Sequence, residues 1–233
     1  HALPRDIAKY KGKYDQGFAP IREARLEKLK TLGLVPADTK LSPQSDDWNA
    51  VKDKPWEARN MEVYAAMIDS MDQGIGRVIQ ALEDKGIRDN TLIVFTSDNG
   101  GLSTSEGSPT SNLPLRAGKG WLYEGGIREP CVIRWPGELS PGTVYDQPMQ
   151  SVDLLPTLAA ATGAPLPSGV TMDGLDLLPS LRGGEALPRR DLFWHYPHWG
   201  NQGGAPGGAL LSGPWKWVER FGPDGIEGEL YHL

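Results

Sequence analysis

The sequence has a single cysteine, no long apolar run and no excess of positive charge. One cysteine among 233 residues excludes an internal disulfide framework. Because no stretch reaches about eighteen apolar residues, we expect no membrane-spanning helix. The formal net charge of −6 provides no general attraction to nucleic acid or to an anionic membrane, so neither is expected as a partner. An anionic ligand would need a local concentration of positive charge.

Glycine and proline, by contrast, are abundant, with 29 and 20 residues. This composition indicates a chain rich in loops, where binding and catalytic side chains commonly lie. At 233 residues, the chain is long enough for one good core, or for a core and a small subdomain.

Residues 91–100, with the sequence TLIVFTSDNG, carry the most informative pattern in the chain. An apolar, β-prone run ends at Asp98 and Asn99, and Gly100 allows a sharp turn. Open α/β sheets place ligand sites at the carboxyl ends of their strands, and these oxygen donors suit Ca²⁺ or Mg²⁺. The pattern therefore predicts metal ligands at Asp98 and Asn99. An Asx turn that only closes the strand is the alternative.

Further along the chain, Lys119 lies between Gly118 and Gly120. A lysine ammonium on its long stem neutralises a tetrahedral anion as a point charge. Taken alone, a lysine between glycines is also typical of a solvated loop. Together with the strand end at Asp98 and Asn99, it predicts a metal ion and a cation that converge on one oxyanion.

Apolar residues at spacings of three and four predict a long helix over about residues 56–85, with its apolar stripe in the core. The stripe consists of Met61, Tyr64, Ile68, Met71, Ile75, Val78 and Leu82. Asp69 and Asp72 in this helix are interpreted as structural polar residues rather than ligands. Residues 1–54 are interpreted as a peripheral insertion that contains a charged amphipathic helix at about residues 21–33.

Beyond the Asp-Asn pair, the pattern predicts a functional loop, a strand and a helix. The loop covers residues 101–120, and its stretch at 103–108 is interpreted as a flexible rim that admits substrate. A buried strand follows at 131–135, in which Cys131 is interpreted as a small apolar residue. Ser151 is expected to cap the N-terminus of the next helix.

From about residue 187, short segments separated by Gly/Pro turns predict a small antiparallel subdomain. The segments are 192–196, 209–212, 215–218 and 229–233. His195 and His198, beside a glycine-rich loop, are candidates for lining a pocket and binding substrate, and histidine also titrates near neutral pH. A packed aromatic cluster with hydrogen-bonded histidines is the alternative.

Several short motifs follow one another in order along the chain. They are SDNG at 97–100, LRAGKG at 115–120, EGGIREP at 124–130, WPG at 135–137, DLLPTL at 153–158 and DGLDL at 173–177. Each motif alone is weak. The ordered set, over most of residues 50–233, closely resembles the type I sulfatases of the alkaline phosphatase superfamily, and within them the arylsulfatase A-like group.

This resemblance implies a fold and an activity. The fold is an α/β alkaline phosphatase-like sandwich, with part of the central mixed sheet and its flanking helices in residues 1–186 and a small C-terminal antiparallel β subdomain in residues 187–233. The activity is hydrolysis of sulfate monoesters. In that reading Asp98 and Asn99 are ligands of Ca²⁺, or of Mg²⁺, and Lys119 is the catalytic lysine that binds the sulfate.

The resemblance also implies that part of the enzyme lies outside this sequence. Sulfatases of this type use a formylglycine nucleophile, made from Cys or Ser in a C/S-x-P/A-x-R motif, and the chain has no such motif. Cys131 is followed by Val132, Ile133 and Arg134, which is the wrong pattern. We therefore expect a fragment, inactive alone, of an enzyme matured by a formylglycine-generating or anaerobic sulfatase-maturating enzyme.

Two other functions are compatible with the sequence. One is a phosphodiesterase or phosphonate hydrolase of the same superfamily, although such enzymes often use transition metals with histidine ligands, which the Asp-Asn segment lacks. The other is a non-catalytic domain that binds sulfated glycans.

The sequence leaves the substrate open between a sulfated small molecule and a sulfated carbohydrate. Flat aromatic faces suit sugars, and tryptophans of the C-terminal part could supply them or belong to its core. These tryptophans are Trp194, Trp199, Trp215 and Trp217. The family resemblance also implies a secreted or periplasmic location.

Overall fold

The computed structural model describes residues 2–43, 47–105, 107 and 110–233. The chain divides into two compact units, residues 1–88 and 89–233. The rim predicted at residues 103–108 lies partly outside the described residues, and the division at residues 186 and 187 stays a prediction. No helix in the described ranges is long and apolar enough to cross a membrane.

The described residues of the first unit form the α-helices α1 (Pro4–Ala8), α2 (Ala19–Thr31) and α3 (Lys54–Asp84). The predicted long helix is therefore confirmed. It begins where the Asp53 side chain accepts a hydrogen bond from the Trp56 backbone N–H at 3.0 Å, which satisfies a donor of the first turn. Gly86 follows its end with a φ of 65°, a conformation that glycine adopts without strain.

Most of the apolar stripe of α3 is exposed, and the prediction that it forms core is wrong. Tyr64, Ile68 and Met71 are among its exposed members. A different face is buried, namely Ala58, Glu62, Ala65 and Ala66. This face is buried because its small alanine side chains let neighbouring backbone approach closely. The polar side chains around them also form hydrogen bonds, which an apolar stripe cannot.

Polar groups join α1 to α3. Asp6 is buried and accepts hydrogen bonds from Gln73 Nε2 at 3.0 Å and Ser70 Oγ at 3.1 Å. The hydrogen bonds from Gln73 and Lys9 lower the pKa of Asp6 to about 2. Asp69 accepts from Lys9 Nζ at 2.9 Å and Gln73 Nε2 at 2.8 Å, which gives it the structural role expected from the sequence.

The second unit begins with an antiparallel strand pair, β1 (Ile93–Thr96) and β2 (Cys131–Arg134), with the short helix α4 (Glu124–Ile127) between them in the chain. The strand at 131–135 was expected to be buried, and this is wrong. Phe95 and Val132 are exposed, and so is the free thiol of Cys131. The reason is that this sheet has only two strands in the part of the chain that the structure describes, so its faces are left open.

Two further helices, α5 (Leu154–Thr162) and α6 (Leu178–Leu181), follow β2. The expected cap at Ser151 is wrong. Ser151 instead lies within a single helical turn, Ser151–Asp153, that precedes α5. This turn begins with a reciprocal capping box between Gln150 and Asp153. The Gln150 side chain accepts a hydrogen bond from the Asp153 backbone N–H. In turn, the Asp153 carboxylate accepts a hydrogen bond from the Gln150 backbone N–H at 2.7 Å.

Asp153 also connects distant parts of this unit. Its carboxylate is fully buried, accepts the Leu175 N–H at 2.9 Å and forms a two-pronged ion pair with Arg190. Burial opposes ionisation of this group. The hydrogen bonds from Arg190 and the two backbone N–H groups more than offset that effect and lower the pKa of Asp153.

The C-terminal part forms a four-stranded antiparallel sheet in which neighbours in sequence pair in the order β3–β4–β5–β6. The strands are β3 (Leu192–Tyr196), β4 (Gly207–Ser212), β5 (Trp215–Gly222) and β6 (Gly225–His232). All four predicted segments are therefore confirmed as strands. One face of the sheet packs Trp194, Ala209 and Val218 against Trp121 and Tyr123. These two residues lie in the motif region, residues 115–130, which contains the LRAGKG and EGGIREP motifs.

We expect Asp153→Asn to lower the free energy of unfolding by about 3 kcal/mol, because it leaves the partly buried Arg190 guanidinium without its countercharge. Because the pKa of Asp153 is lowered, its ionised form stabilises the fold above the ordinary pKa of 3.8, and this contribution is lost as pH falls through the folded-state pKa. The deficit of the variant should therefore shrink in acid. Urea denaturation across this pH range measures it.

Glu138→Gln is the matched control, since Glu138 pairs with Arg182 and both side chains are more than 40% exposed. We expect a loss below about 1 kcal/mol. Equal losses in the two variants, or a deficit of Asp153→Asn that grows in acid, would contradict the role assigned to the buried pair.

Candidate functional site

The predicted metal ligands lie directly after β1. Asp98 is exposed and Asn99 is partly buried, so the Asp98 carboxylate is free to meet a ligand. The Ser97 hydroxyl donates to the Asn99 carbonyl at 2.7 Å and fixes the local turn. The side-chain oxygens of this pair are hard donors, and their chemistry fits Ca²⁺ or Mg²⁺.

Two side chains cannot complete such a site, because Ca²⁺ takes about six to eight oxygen ligands. Within residues 2–43, 47–105, 107 and 110–233, no group of three or more His, Cys, Asp or Glu residues is arranged to hold a metal ion. Asp98 and Asn99 could therefore provide only part of a coordination sphere.

Lys119 is tied to this strand end through its backbone. Its N–H donates to the Gly101 carbonyl at 3.2 Å, two residues after Asn99. The structure thus brings together the two segments that the sequence predicted to converge. Asn112, which the sequence did not single out, also contributes. Its side chain forms hydrogen bonds with the Gly101 backbone and with the Ala117 carbonyl.

Glycines make this close approach possible. A Cβ on Gly100 would lie 1.7 Å from the Gly125 carbonyl oxygen, and one on Gly118 would lie 2.2 Å from that of Gly101. A Cβ on Gly126 would lie 2.2 Å from the Trp121 carbonyl oxygen. The strand end, the lysine loop and α4 therefore meet as bare backbone, which explains why the motifs around Lys119 are rich in glycine.

A buried lysine connects this region to the C-terminal sheet. Lys216 is 1% exposed, and its Nζ donates to Glu124 Oε1 at 2.6 Å, at the first residue of α4. The ammonium also lies 5.5 Å from the centre of the Trp194 ring. Burial lowers the pKa of Lys216, which the Glu124 carboxylate partly counteracts.

Sequence reasoning recognised the strand around Lys216 but not its orientation. The strand buries Lys216 and Val218 and exposes Trp215 and Trp217. The sequence showed that side chains alternate between two faces along this strand. The usual expectation that apolar side chains are buried would have placed Trp215 and Trp217 inside. The signal that could have found Lys216 is the Glu124 carboxylate in the EGGIREP motif, which needs a cationic partner when it is partly buried.

A second ion pair joins the motif region to β6. Arg116 Nη1 donates to Glu229 Oε2 at 2.7 Å, and the Tyr123 hydroxyl donates to the same oxygen at 3.1 Å. The Arg116 guanidinium lies 3.9 Å from the centre of the Tyr123 ring, within cation–π range. Tyr231 also contacts both charged groups.

The glycine-rich loop before β4 packs beside Lys119. The Trp121 indole N–H donates to Thr104 Oγ1 at 2.8 Å, and Thr104 in turn donates to the Gln202 carbonyl at 3.0 Å. A Cβ on Gly204 would lie 1.7 Å from the Gly120 carbonyl oxygen. This loop therefore borders the site.

The two candidate histidines occupy different places. His195 alternates with Trp194 along β3, so it lies on the sheet face opposite the motif region, and its ring is 6.0 Å from that of Phe221. His198 is exposed and packs edge-on against Tyr196, with ring centres 5.6 Å apart. His198 lies next to the Gln202 loop, whereas the structure does not bring His195 to the lysine segment. Their predicted roles stay predictions.

Solved structures share the fold of this chain. Ps i-CgsB in complex with k-i-k-neocarrahexaose is similar with a TM-score of 0.61 at 30% sequence identity, over 73% of this chain and 36% of that one. BT4656 in complex with D-glucosamine-2-N,6-O-disulfate also gives a TM-score of 0.61, at 22% identity, over 94% of this chain and 42% of that one. The expected fold, an alkaline phosphatase-like α/β sandwich with a small C-terminal sheet, is confirmed.

Relatives known from sequence agree. The Sulfatase family model matches residues 1–164. Mouse (Mus musculus) steryl-sulfatase is 42% identical over 139 residues, which is 57% of this chain and 22% of that protein. Human (Homo sapiens) arylsulfatase A is 45% identical over 129 residues, 54% of this chain and 25% of that protein.

The fold places the chain in the alkaline phosphatase-like class of α/β proteins. More specifically, the chain belongs to the sulfatase family. It spans about a quarter of the length of these curated relatives.

We expect Gly100→Ala to lower the free energy of unfolding by about 3 kcal/mol, because the added methyl group would overlap the backbone carbonyl of Gly125, which cannot rotate away as a side chain would. Gly222→Ala is the control, since its Cβ would meet the nearest atom at an ordinary 3.4 Å. Thermal and urea unfolding of both variants measure the difference. Similar stability in the two would show that the backbone junction is not tightly packed.

Proposed function

We propose that the protein to which this chain belongs hydrolyses sulfate monoesters. The observation that carries the proposal is the bond between the backbones of Lys119 and Gly101, which holds a lysine beside the strand end that bears Asp98 and Asn99. A cation and two oxygen donors in one neighbourhood suit a bound sulfate group, and membership of the sulfatase family supports the same reaction.

Each of these residues has a distinct task in the proposal. The Lys119 ammonium binds sulfate oxygens and neutralises charge that develops as the ester bond breaks. Asp98 and Asn99 hold part of the coordination sphere of Ca²⁺, with Mg²⁺ as the second choice. When bound, the ion supplies Lewis-acid polarisation of the ester. An amide rather than a second carboxylate at Asn99 keeps the site less negative, which favours an anionic substrate.

No residue of this chain fits the formylglycine nucleophile of sulfatases, because the sequence has no C/S-x-P/A-x-R motif. We place that residue elsewhere in the protein, formed there by a formylglycine-generating or anaerobic sulfatase-maturating enzyme. The residues described here would bind and orient the sulfate group. Secretion or export to the periplasm is part of the same proposal.

A sulfated carbohydrate is the substrate class that we favour over a sulfated small molecule. Of the four C-terminal tryptophans, Trp194 packs in the sheet core, and Trp215 and Trp217 lie on the sheet face away from the motif region. Trp199 is 79% exposed and precedes the Gln202 loop that borders the site. Such an uncovered aromatic face suits stacking on a sugar ring. The similar structure of Ps i-CgsB is a complex with k-i-k-neocarrahexaose.

The first test is sulfate release by the full-length protein, with formylglycine confirmed by mass spectrometry. We expect Lys119→Ala to lower kcat/KM at least about 100-fold, because a preorganised charge at the transition state is lost. Asp98→Asn should weaken calcium binding measured by calorimetry. Lys52→Ala, at an exposed position, is the control and should match the wild type.

The possible failures point in different directions. Wild-type activity that persists in Lys119→Ala would remove the lysine from the reaction. No sulfate release despite confirmed formylglycine, with phosphodiester or phosphonate turnover instead, would establish the hydrolase alternative. Binding of sulfated glycans without any turnover would establish a non-catalytic domain.

Trp199→Ala tests the substrate class. We expect it to raise KM for sulfated oligosaccharides roughly tenfold, because a stacking surface worth about 1 kcal/mol or more is lost. Turnover of the small substrate 4-nitrocatechol sulfate should be unchanged. Trp215→Ala, which removes an exposed tryptophan from the opposite sheet face, is the control. An equal effect of Trp199→Ala on both substrates would contradict a sugar-binding role.

A further inference from the structure

Asn112 occupies a central place in the loop that leads to Lys119. Its Oδ1 accepts the Gly101 N–H at 3.0 Å, and its Nδ2 donates to the Gly101 carbonyl at 2.7 Å. The same Nδ2 lies 2.9 Å from the Ala117 carbonyl and 3.2 Å from Ser103 Oγ. The Asn112 side chain therefore pairs with both the N–H and the carbonyl of Gly101, two residues after Asn99. It also contacts the backbone at Ala117, two residues before Lys119.

The Gly101 carbonyl is shared between Asn112 and Lys119. It accepts from Asn112 Nδ2 and from the Lys119 backbone N–H, which uses both of its lone pairs. A change at Asn112 therefore acts on the same oxygen that fixes the Lys119 backbone.

The backbone just before Lys119 is held in a conformation that needs support. Ala117 has a φ of 60°, in the left-handed region that residues with a Cβ seldom adopt. Such a conformation persists only when its surroundings enforce it. The Ala117 carbonyl accepts hydrogen bonds from Asn112 Nδ2 and from Ser103 Oγ, the latter at 3.0 Å. These two bonds orient the peptide that leads into Gly118 and Lys119.

Only an amide meets these demands. Aspartate has the same shape but no donors, and serine is too short to span from Gly101 to Ala117. Close packing leaves no slack in which another side chain could substitute, since a Cβ on Gly118 would lie 2.4 Å from Asn112 Nδ2.

We infer that Asn112 is a positioning residue, which sets the location of Lys119 relative to Asp98 and Asn99 and thereby governs sulfate-ester hydrolysis. The inference rests on the proposed function. Asn112 does not touch the sulfate group; it acts through Lys119. Because a misplacement of about 1 Å can cost roughly 100-fold in rate, loss of this clamp lowers kcat more than it raises KM.

Amide hydrogen exchange on the full-length protein tests the clamp without reference to activity. In Asn112→Asp, the Gly101 and Lys119 amides should exchange at least about tenfold faster than in the wild type, whereas amides of α5 should be unchanged. Ser111→Ala, the neighbouring substitution, should leave both amides as they are. Unaltered exchange at Gly101 and Lys119 would overturn the inference. Asn112→Ala repeats the measurement should the aspartate variant fail to fold.

A double-mutant cycle tests whether the clamp acts through the lysine. Asn112→Asp should lower kcat roughly 10- to 100-fold with little change in KM. In a Lys119→Ala background it should have almost no further effect on kcat/KM. Additive effects would show a merely structural role and overturn the inference. If the wild type hydrolyses no sulfate ester, the proposed function fails, and the exchange rates still decide whether Asn112 clamps the loop.

Discussion

Contact between bare backbone segments is the constraint on which the rest of the second unit depends. The pairs that approach without intervening side chains are Gly100 with Gly125, Gly118 with Gly101, and Gly204 with Gly120. A Cβ on Gly100, Gly118 or Gly204 would overlap the carbonyl oxygen of its partner, so these segments fit together in only one arrangement. Main-chain packing therefore brings the strand end with Asp98 and the loop with Lys119 together, and the Asn112 side chain then fixes the loop within this junction.

Charged side chains then attach this junction to the C-terminal sheet. Lys216 reaches Glu124 from β5, and Arg116 reaches Glu229 on β6. The buried pair of Lys216 and Glu124 adds little net stability, since desolvation offsets much of the attraction, and Arg116 is too exposed for its pair to add much. Their contribution here is geometric. An ammonium with one carboxylate within reach in a dry site holds α4 and the sheet in a single relative arrangement, and the Gln202 loop of the same sheet then borders Lys119.

Local pattern predicted which segments are helix and strand far better than it predicted which faces are buried. The helix at about residues 56–85 and the four C-terminal strands are where periodicity and turn residues placed them. Most of the apolar stripe of α3 is nevertheless exposed, and β5 buries a lysine between two exposed tryptophans. Periodicity identifies faces, but burial depends on what packs against each face. Because Ser70 and Gln73 on α3 donate hydrogen bonds to Asp6, α1 packs against the polar side of α3.

The sequence by itself determined the family, the strand that ends at Asp98 and Asn99, and the lysine between two glycines, because these depend on residue types in a fixed order. Only the tertiary structure decided which side chains hold them together. Asn112 and Lys216 look like ordinary loop and strand residues in the sequence. Their partners lie 11 and 92 residues away, and no local propensity encodes a hydrogen bond between segments that meet only after the chain has folded.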